Sequence, residues 1–197
     1  MQIKAVAALA VFAAVILTGA TQGFAQDETA PVLPTHEDAE PGQTYLKETY
    51  RDWQLRCVKQ EEGVREPCQM YQLLRNANDV PVAEFTVIAL PESSGVRAGA
   101  TIITPLETLL TENLVLAISP EVVKQYPYNF CTTAGCFSQL GFSAEDIAAL
   151  KAGVEAQVRI VPVAAPDSPV TLTASLLGFT AAFDLLAARI DEETAAQ

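Results

Sequence analysis

The sequence predicts a mainly β fold, either an antiparallel β-sandwich or a barrel-like sheet, in a single domain with one or two short helices. Many short stretches alternate apolar and polar residues at period two, and turn residues separate them. Only two stretches have helical spacing. A chain of 197 residues is long enough for one domain with a substantial core and too short for two of ordinary size.

The first 25 residues have the pattern of a secretory signal peptide. Lys4 gives a positive start, Ala5–Ala20 is almost entirely apolar, and Gly23 and Ala25 supply small residues for cleavage. An uncleaved membrane anchor is the alternative, but the apolar run is shorter than the roughly 20 residues that a bilayer span needs. We therefore expect no stable membrane span after cleavage.

Residues 26–45 differ abruptly in composition from the segments on either side. Prolines alternate with acidic residues and large apolar residues are few, which predicts a disordered, acidic, proline-rich leader. His36 lies in this leader, and we interpret it as a solvated side chain rather than a metal ligand. The domain is expected over residues 46–190, followed by an acidic tail over residues 191–197.

The charge and the cysteines restrict the partners and the compartment. A formal charge of -12 repels nucleic acid and anionic lipid surfaces, so neither is an expected partner. The four cysteines are an even number behind a secretory pattern. Such cysteines form disulfides in oxidising compartments, which predicts an exported protein with disulfides rather than free thiols.

Two short strands around the first cysteine pair predict a β-hairpin. If Cys57 lies opposite Cys68, then Leu55 faces Met70 and both cysteines share one face within disulfide reach. Trp53 begins the first strand, and we expect it to anchor the core. The connection between the strands is polar and charged, so we expect it to be exposed.

The second pair, Cys131 and Cys136, surrounds a tight turn, and proximity favours a second disulfide there. In the chain-entropy model, a disulfide that closes a loop this short stabilises the fold by roughly 2 to 3 kcal/mol. A thiol oxidoreductase using Cys131 and Cys136 is the alternative. However, the two cysteines are separated by four residues rather than the two of thioredoxin-like sites.

Other strands follow from alternation and from the turn residues that bound them. We expect them at about residues 80–90, 100–104, 114–118, 126–131, 136–140, 154–160 and 170–176.

Two helices have clear sequence signals. Ser143 and Asp146 predict a capping box at the start of the first helix, which Gly153 ends. Apolar residues from Phe179 to Ile190 recur at helical spacing, so a C-terminal helix should pack one face on the domain. A membrane-surface helix is the alternative, but the basic rim typical of that role is missing.

Four motifs in order resemble the invasion-associated locus B family. They are Asp52-Trp53 before Cys57, Cys68-Gln-Met70, Cys131 to Gly135-Cys136, and Ser175-Leu-Leu-Gly-Phe-Thr-Ala-Ala182. The resemblance runs from about Trp53 to Leu186. It implies a secreted or periplasmic bacterial β-domain, in a family named for a role in host-cell invasion, and carries over no catalytic residue.

The chain departs from the usual family pattern at a few positions. Arg51 stands where the family usually has glycine, Glu107 and Asn113 lie in a segment that tends to contain glycines, and Leu177 replaces a usual basic residue. We expect these differences to affect loops and local surface rather than the fold.

The residues predict no catalytic, cofactor or metal site. His36 is the only histidine and the cysteines are expected to be oxidised, which excludes the usual nucleophilic and zinc arrangements. A carboxylate-based envelope hydrolase remains an alternative because acids are abundant. Calcium at Glu61, Glu62 and Glu66 is disfavoured by their irregular spacing.

The predicted function is therefore non-enzymatic binding of a protein or another envelope component, with a role in host-cell invasion or in the envelope. The candidate interaction surface comprises Glu61, Glu62, Arg65, Glu66, Tyr126 and Tyr128.

Overall fold

The computed structural model describes residues 32–195, apart from the side chains of residues 193 and 195. The expected signal peptide and residues 26–31 of the expected leader lie outside the described residues. Within them are eleven β-strands and two α-helices. These are β1 (Thr44–Tyr50), β2 (Trp53–Val58), β3 (Cys68–Arg75), β4 (Pro81–Ala89), β5 (Ala98–Thr104), β6 (Leu114–Ala117), β7 (Val123–Tyr126), β8 (Phe130–Thr132), β9 (Gly135–Phe142), α1 (Ala144–Ala152), β10 (Glu155–Ile160), β11 (Val170–Ser175) and α2 (Phe179–Ala195).

All strands belong to one curled antiparallel sheet, so the predicted mainly β class is confirmed. The main path runs β7-β6-β10-β11-β3-β4-β5-β9-β8. The two ends of this path approach each other: Ser138 on β9 donates a hydrogen bond to the Pro127 carbonyl over 3.0 Å, just after β7. The arrangement is therefore closer to the barrel-like alternative than to two separate layers.

The sheet divides at β3. One part of the edge of β3 pairs with β2, in the register Cys57 opposite Cys68 and Leu55 opposite Met70 that the sequence predicted. Further along, Arg75 pairs with Thr173 of β11. We call the point where β2 and β11 separate the fork.

Trp53 fills the inside of the fork. It is fully buried, and its ring meets Phe85 of β4 and Phe179 of α2 edge-on, with centroids 5.4 and 5.5 Å away. Its indole nitrogen donates to the Ser175 carbonyl over 2.8 Å. An aromatic ring with a satisfied polar atom contributes strongly to a core, which supports the role expected for this residue.

A small polar cluster closes the fork beside Trp53. The Gln72 amide donates to the carbonyls of Asp52 and Ser175, over 3.2 and 3.0 Å, and accepts the Ser175 backbone N–H over 2.8 Å. The Ser175 hydroxyl donates to the Asp52 carboxylate over 2.5 Å. These bonds hold β2, β3 and β11 together where regular pairing between the strands ends.

Two residues at the fork have left-handed backbone conformations. Gly178 has φ +88°, and a Cβ placed there would lie 1.9 Å from the Tyr50 carbonyl oxygen, so only glycine fits. Arg51, in the turn between β1 and β2, has φ +53°, in a region that most side chains avoid. Arg51 stands where the resembling family usually has glycine, and the structure shows why glycine suits the position.

Helix α1 begins as the sequence predicted. The Ser143 hydroxyl accepts the Asp146 N–H over 3.2 Å and the Asp146 carboxylate accepts the Ser143 N–H over 2.9 Å, which together form the capping box. Lys124 on β7 also donates to the Asp146 carboxylate. Burial acts to raise the pKa of Asp146, but the hydrogen bonds from Lys124 and Ser143 hold it below its ordinary value.

The ends of the packed chain differ from the sequence expectation. The leader was expected to be disordered to residue 45, but β1 begins at Thr44 and Tyr45 is only 1% exposed. At the other end, α2 continues to Ala195 through the expected tail, and Asp191 pairs with Arg97 over 2.8 Å. Composition could not predict the start of β1 or the length of α2, because the contacts that order these two segments come from distant parts of the chain.

Candidate functional site

An apolar groove of about 600 Å³ lies between α2, the end of β4 and the loop that connects β2 to β3. Most of its walls are aliphatic, and two arginines stand among them. The lining residues are Arg65, Pro67, Cys68, Ile88, Ala89, Leu90, Pro91, Leu186, Arg189 and Ile190. The volume falls within the range of about 300–1,000 Å³ typical of ligand sites.

The connecting loop of the first hairpin forms one wall because it is bonded to α2. Arg65 donates to the Arg189 carbonyl and Arg189 donates to the Glu66 carbonyl, both over 3.3 Å. The disulfide between Cys57 and Cys68 closes the base of the same loop. The loop that was expected to be exposed is therefore fixed at its Arg65–Cys68 end.

The other side of this loop contacts the segment before β1. Tyr45 donates to the Glu66 carboxylate over 2.5 Å, and His36 lies 3.1 Å from the other oxygen of that carboxylate. The bond from Tyr45, followed by the contact with His36, lowers the pKa of Glu66. Burial, with the bond to Glu66, raises the pKa of Tyr45 to about 12. Glu66 thus ties the loop to the segment before β1.

Three arginines line or adjoin the groove. Arg65, Arg97 and Arg189 are three of the seven arginines in a chain that carries twice as many acidic as basic residues. Arg97 donates to the Leu90 carbonyl over 2.5 Å and pairs with Asp191. The groove therefore combines apolar walls with the guanidinium groups of Arg65 and Arg189.

The other residues of the predicted interaction surface do not gather at this groove. Glu61 and Glu62 are exposed at the tip of the connecting loop. Tyr126 and Tyr128 are half-buried and pack against the core. Burial, with the nearby charge of Asp146, raises the pKa of Tyr126 to about 12. Only Arg65 of the six predicted residues lines the groove.

Sequence reasoning missed Ile88, Leu186 and Ile190 as groove residues. Ile88 sits at an outward position of β4 and is 42% exposed, so a large apolar side chain occupies a position where alternation favours a polar one. That irregularity was the available signal. Leu186 and Ile190 were assigned to the packed face of α2, and their extension into a groove depends on the position of β4.

The second cysteine pair also forms the disulfide favoured by proximity, across β8 and β9. Cys136 is buried, whereas all three residues of β8 are exposed. Phe130 is 49% exposed and stacks on Phe137, with ring centroids 4.8 Å apart. This hairpin presents an aromatic pair to solvent and lines no part of the groove.

The described residues also limit the chemistry. Among them, no group of three or more His, Cys, Asp and Glu side chains could hold a metal ion. In residues 32–195, none of the helices is both long and apolar enough to cross a membrane.

The curled antiparallel sheet, the two cross-strand disulfides and the groove beside α2 define a small disulfide-closed β-protein. The chain belongs to the invasion associated locus B (IalB) protein family, which residues 53–187 match. It is 29% identical over 150 residues to an invasion protein B homolog of Brucella abortus (strain 2308), covering 75% of this chain and 82% of that protein. A second homolog, from Brucella abortus biovar 1 (strain 9-941), matches with the same values.

The fold is also similar to a solved structure. The crystal structure of invasion associated protein B from Bartonella henselae matches with a TM-score of 0.61 and 26% sequence identity. The similarity covers 72% of this chain and 94% of that chain.

Proposed function

We propose that this chain acts in the periplasm or outside the cell as a non-enzymatic binding protein, and that the groove beside α2 receives its ligand. The observation that carries the proposal is the groove itself, because its apolar walls are held open by a disulfide and by reciprocal bonds between the loop and α2. A fixed apolar pocket with a few polar groups is the usual form of a binding site.

Export is supported by the signal-peptide pattern and by the two disulfides. A binding role is supported by the relatives, whose names refer to invasion rather than to a reaction. The expected partner is an envelope component, because an acidic protein, whose full chain has a charge of -12, would be repelled by nucleic acid and by anionic lipid surfaces.

A photo-crosslinking amino acid at position 88 tests the proposal. Ile88 lines the groove and is partly exposed, so the probe should be tolerated there. We expect the probe to capture one defined envelope component in native cells, which mass spectrometry identifies. Capture should be lost when the same probe is placed at position 88 of a variant that lacks the Cys57–Cys68 disulfide. The matched control places the probe at Val163, which is 54% exposed on another loop.

Equal capture from both positions would contradict a specific role for the groove. Intact mass of the recovered protein tests export at the same time, since we expect cleavage after Ala25 and the loss of four hydrogens. An uncleaved chain with reduced cysteines would contradict the exported form. Turnover of glycosidic or peptide substrates that a single carboxylate substitution abolishes would contradict the non-enzymatic role.

Host-cell invasion is the second candidate function, and the names of the relatives favour it. A deletion strain complemented with the wild type or with Ile88→Glu tests it. We expect entry into host cells to be restored only by the wild type.

A further inference from the structure

We infer that the groove binds a single fatty acid, with the acyl chain along Ile88, Leu90, Leu186 and Ile190 and the carboxylate at the Arg189 guanidinium. This inference rests on the proposed function, because it names the chemical class of the ligand for the same site.

The walls of the groove favour an acyl chain over an extended peptide strand. A peptide that binds as an added strand needs backbone hydrogen bonds from its site. Pro67 and Pro91 have no N–H, and their carbonyls already accept from Val58 and Ser94, both over 3.0 Å. Leu90 donates to the Arg97 carbonyl over 3.0 Å and its own carbonyl accepts from Arg97. These lining residues therefore offer few backbone donors or acceptors to an added peptide strand, whereas an acyl chain requires no hydrogen bonds.

The arginines of the groove favour a carboxylate. A guanidinium carries five N–H donors arranged to hold a carboxylate in a bidentate way, and the bond from Arg189 to the Glu66 carbonyl uses one of its nitrogens. Arg65 lines the same groove and adds positive charge. An anionic head group is therefore attracted to the arginines that line the groove.

The net charge of the chain favours a single ligand molecule in solution over a bilayer surface. At -12, the protein as a whole is repelled by an anionic membrane surface, while a single fatty acid meets mainly the local charge of the arginines. A monomeric fatty acid also fits a groove of about 600 Å³, which an extended membrane surface cannot enter.

Calorimetry of the purified, disulfide-bonded protein with octanoate, decanoate and dodecanoate tests the inference. Each buried methylene contributes about 0.8 kcal/mol, so affinity should rise up to about fourfold per methylene. Decanol has the same chain without the charge, and we expect it to bind at least about tenfold more weakly than decanoate. In Arg189→Gln, decanoate and decanol should bind with similar affinity.

Ile88→Glu should weaken decanoate binding at least about tenfold, since it places a negative charge in the groove. The matched control is Val163→Glu, which should bind like the wild type. Thermal unfolding of both variants shows whether they remain folded. An affinity that does not depend on chain length, equal binding of decanol, or equal effects of the two substitutions would each overturn the inference.

Crosslinking from position 88 separates this inference from the proposed function. If the probe captures a defined envelope protein and decanoate does not bind, the fatty-acid inference fails while the binding function stands. If neither is observed, both fail. Binding only to vesicles of anionic lipid would replace the fatty acid by a membrane surface and would also overturn the inference.

Discussion

The hairpin closed by Cys57 and Cys68 and the hairpin closed by Cys131 and Cys136 are covalently alike. Both disulfides join neighbouring antiparallel strands, and in both the Cα atoms of the bonded cysteines are 4.0 Å apart. Their surroundings differ: the first hairpin begins at buried Trp53 and is bonded to α2, whereas the second carries the exposed strand β8. The same crosslink therefore supports a core and a groove in one place and a surface hairpin in the other.

The largest expected difference between the two regions lies in their aromatic residues. Trp53→Ala should lower the free energy of unfolding by about 3 to 5 kcal/mol, because it empties the fork and leaves the Ser175 carbonyl without its bond from the indole. Phe130→Ala should lower the free energy of unfolding by about 1 kcal/mol, chiefly because its stacking on Phe137 is lost. Denaturant titration measures both, and similar losses would contradict the contrast.

The next difference concerns the disulfides themselves. Cys57→Ser with Cys68→Ser should cost about 3 kcal/mol, and Cys131→Ser with Cys136→Ser about 2 kcal/mol, because the first loop is longer. We also expect the first pair of substitutions to loosen the wall of the groove. Decanoate binding, compared in the two variants, should fall in the first and be retained in the second. Equal binding in both would contradict this link.

Acid titration compares Asp146 at α1 with Glu66 in the first hairpin. Both carboxyl groups have a lowered pKa in the folded protein, so each stabilises the fold above about pH 4 and loses that contribution as the pH falls through the folded value. Asp146→Asn should cost about 1 to 2 kcal/mol at pH 7, since its side chain is 5% exposed and accepts from Lys124.

Glu66→Gln should cost about 1 kcal/mol or less at pH 7, because its main partner is a neutral hydroxyl. Stability of the wild type and both variants, followed from pH 7 to pH 3, checks the order. A steeper acid dependence in Asp146→Asn than in the wild type would contradict the assigned sign.

The smallest expected effect is a gain in stability at the turn before the first hairpin. Arg51→Gly should stabilise the protein by about 1 kcal/mol, because glycine adopts φ +53° without the clash of a Cβ. The matched control is Asp79→Gly at φ +62°. Aspartate tolerates this conformation and Asp79 pairs with Arg75, so that control should gain nothing. A loss of stability in Arg51→Gly would show that the arginine side chain makes a contribution of its own.

Local chemistry made part of this structure predictable. The alternation of residues predicted the register of Cys57 opposite Cys68, and the spacing of Ser143 and Asp146 predicted the capping box. Each of these features depends on residues that are close in sequence or directly opposite in one hairpin. The order of the strands around the sheet has no such local signal.

The groove and the fork were not predictable for the same physical reason. Arg65, Ile88 and Arg189 come from three separate elements, and Gln72 meets Ser175 across 103 positions of sequence. No period or spacing connects such residues. The exposed position of Ile88 was a hint, but it became meaningful only once α2 was seen beside β4.

Hydrogen–deuterium exchange of the α2 amides tests the central claim, that the first hairpin is integrated with α2 while the second is peripheral. We predict that Cys57→Ser with Cys68→Ser strongly lowers protection of residues 186–190, where Arg189 meets the connecting loop. Cys131→Ser with Cys136→Ser should leave that protection unchanged. Equal loss of protection in the two variants, or loss only in the second, would contradict the account.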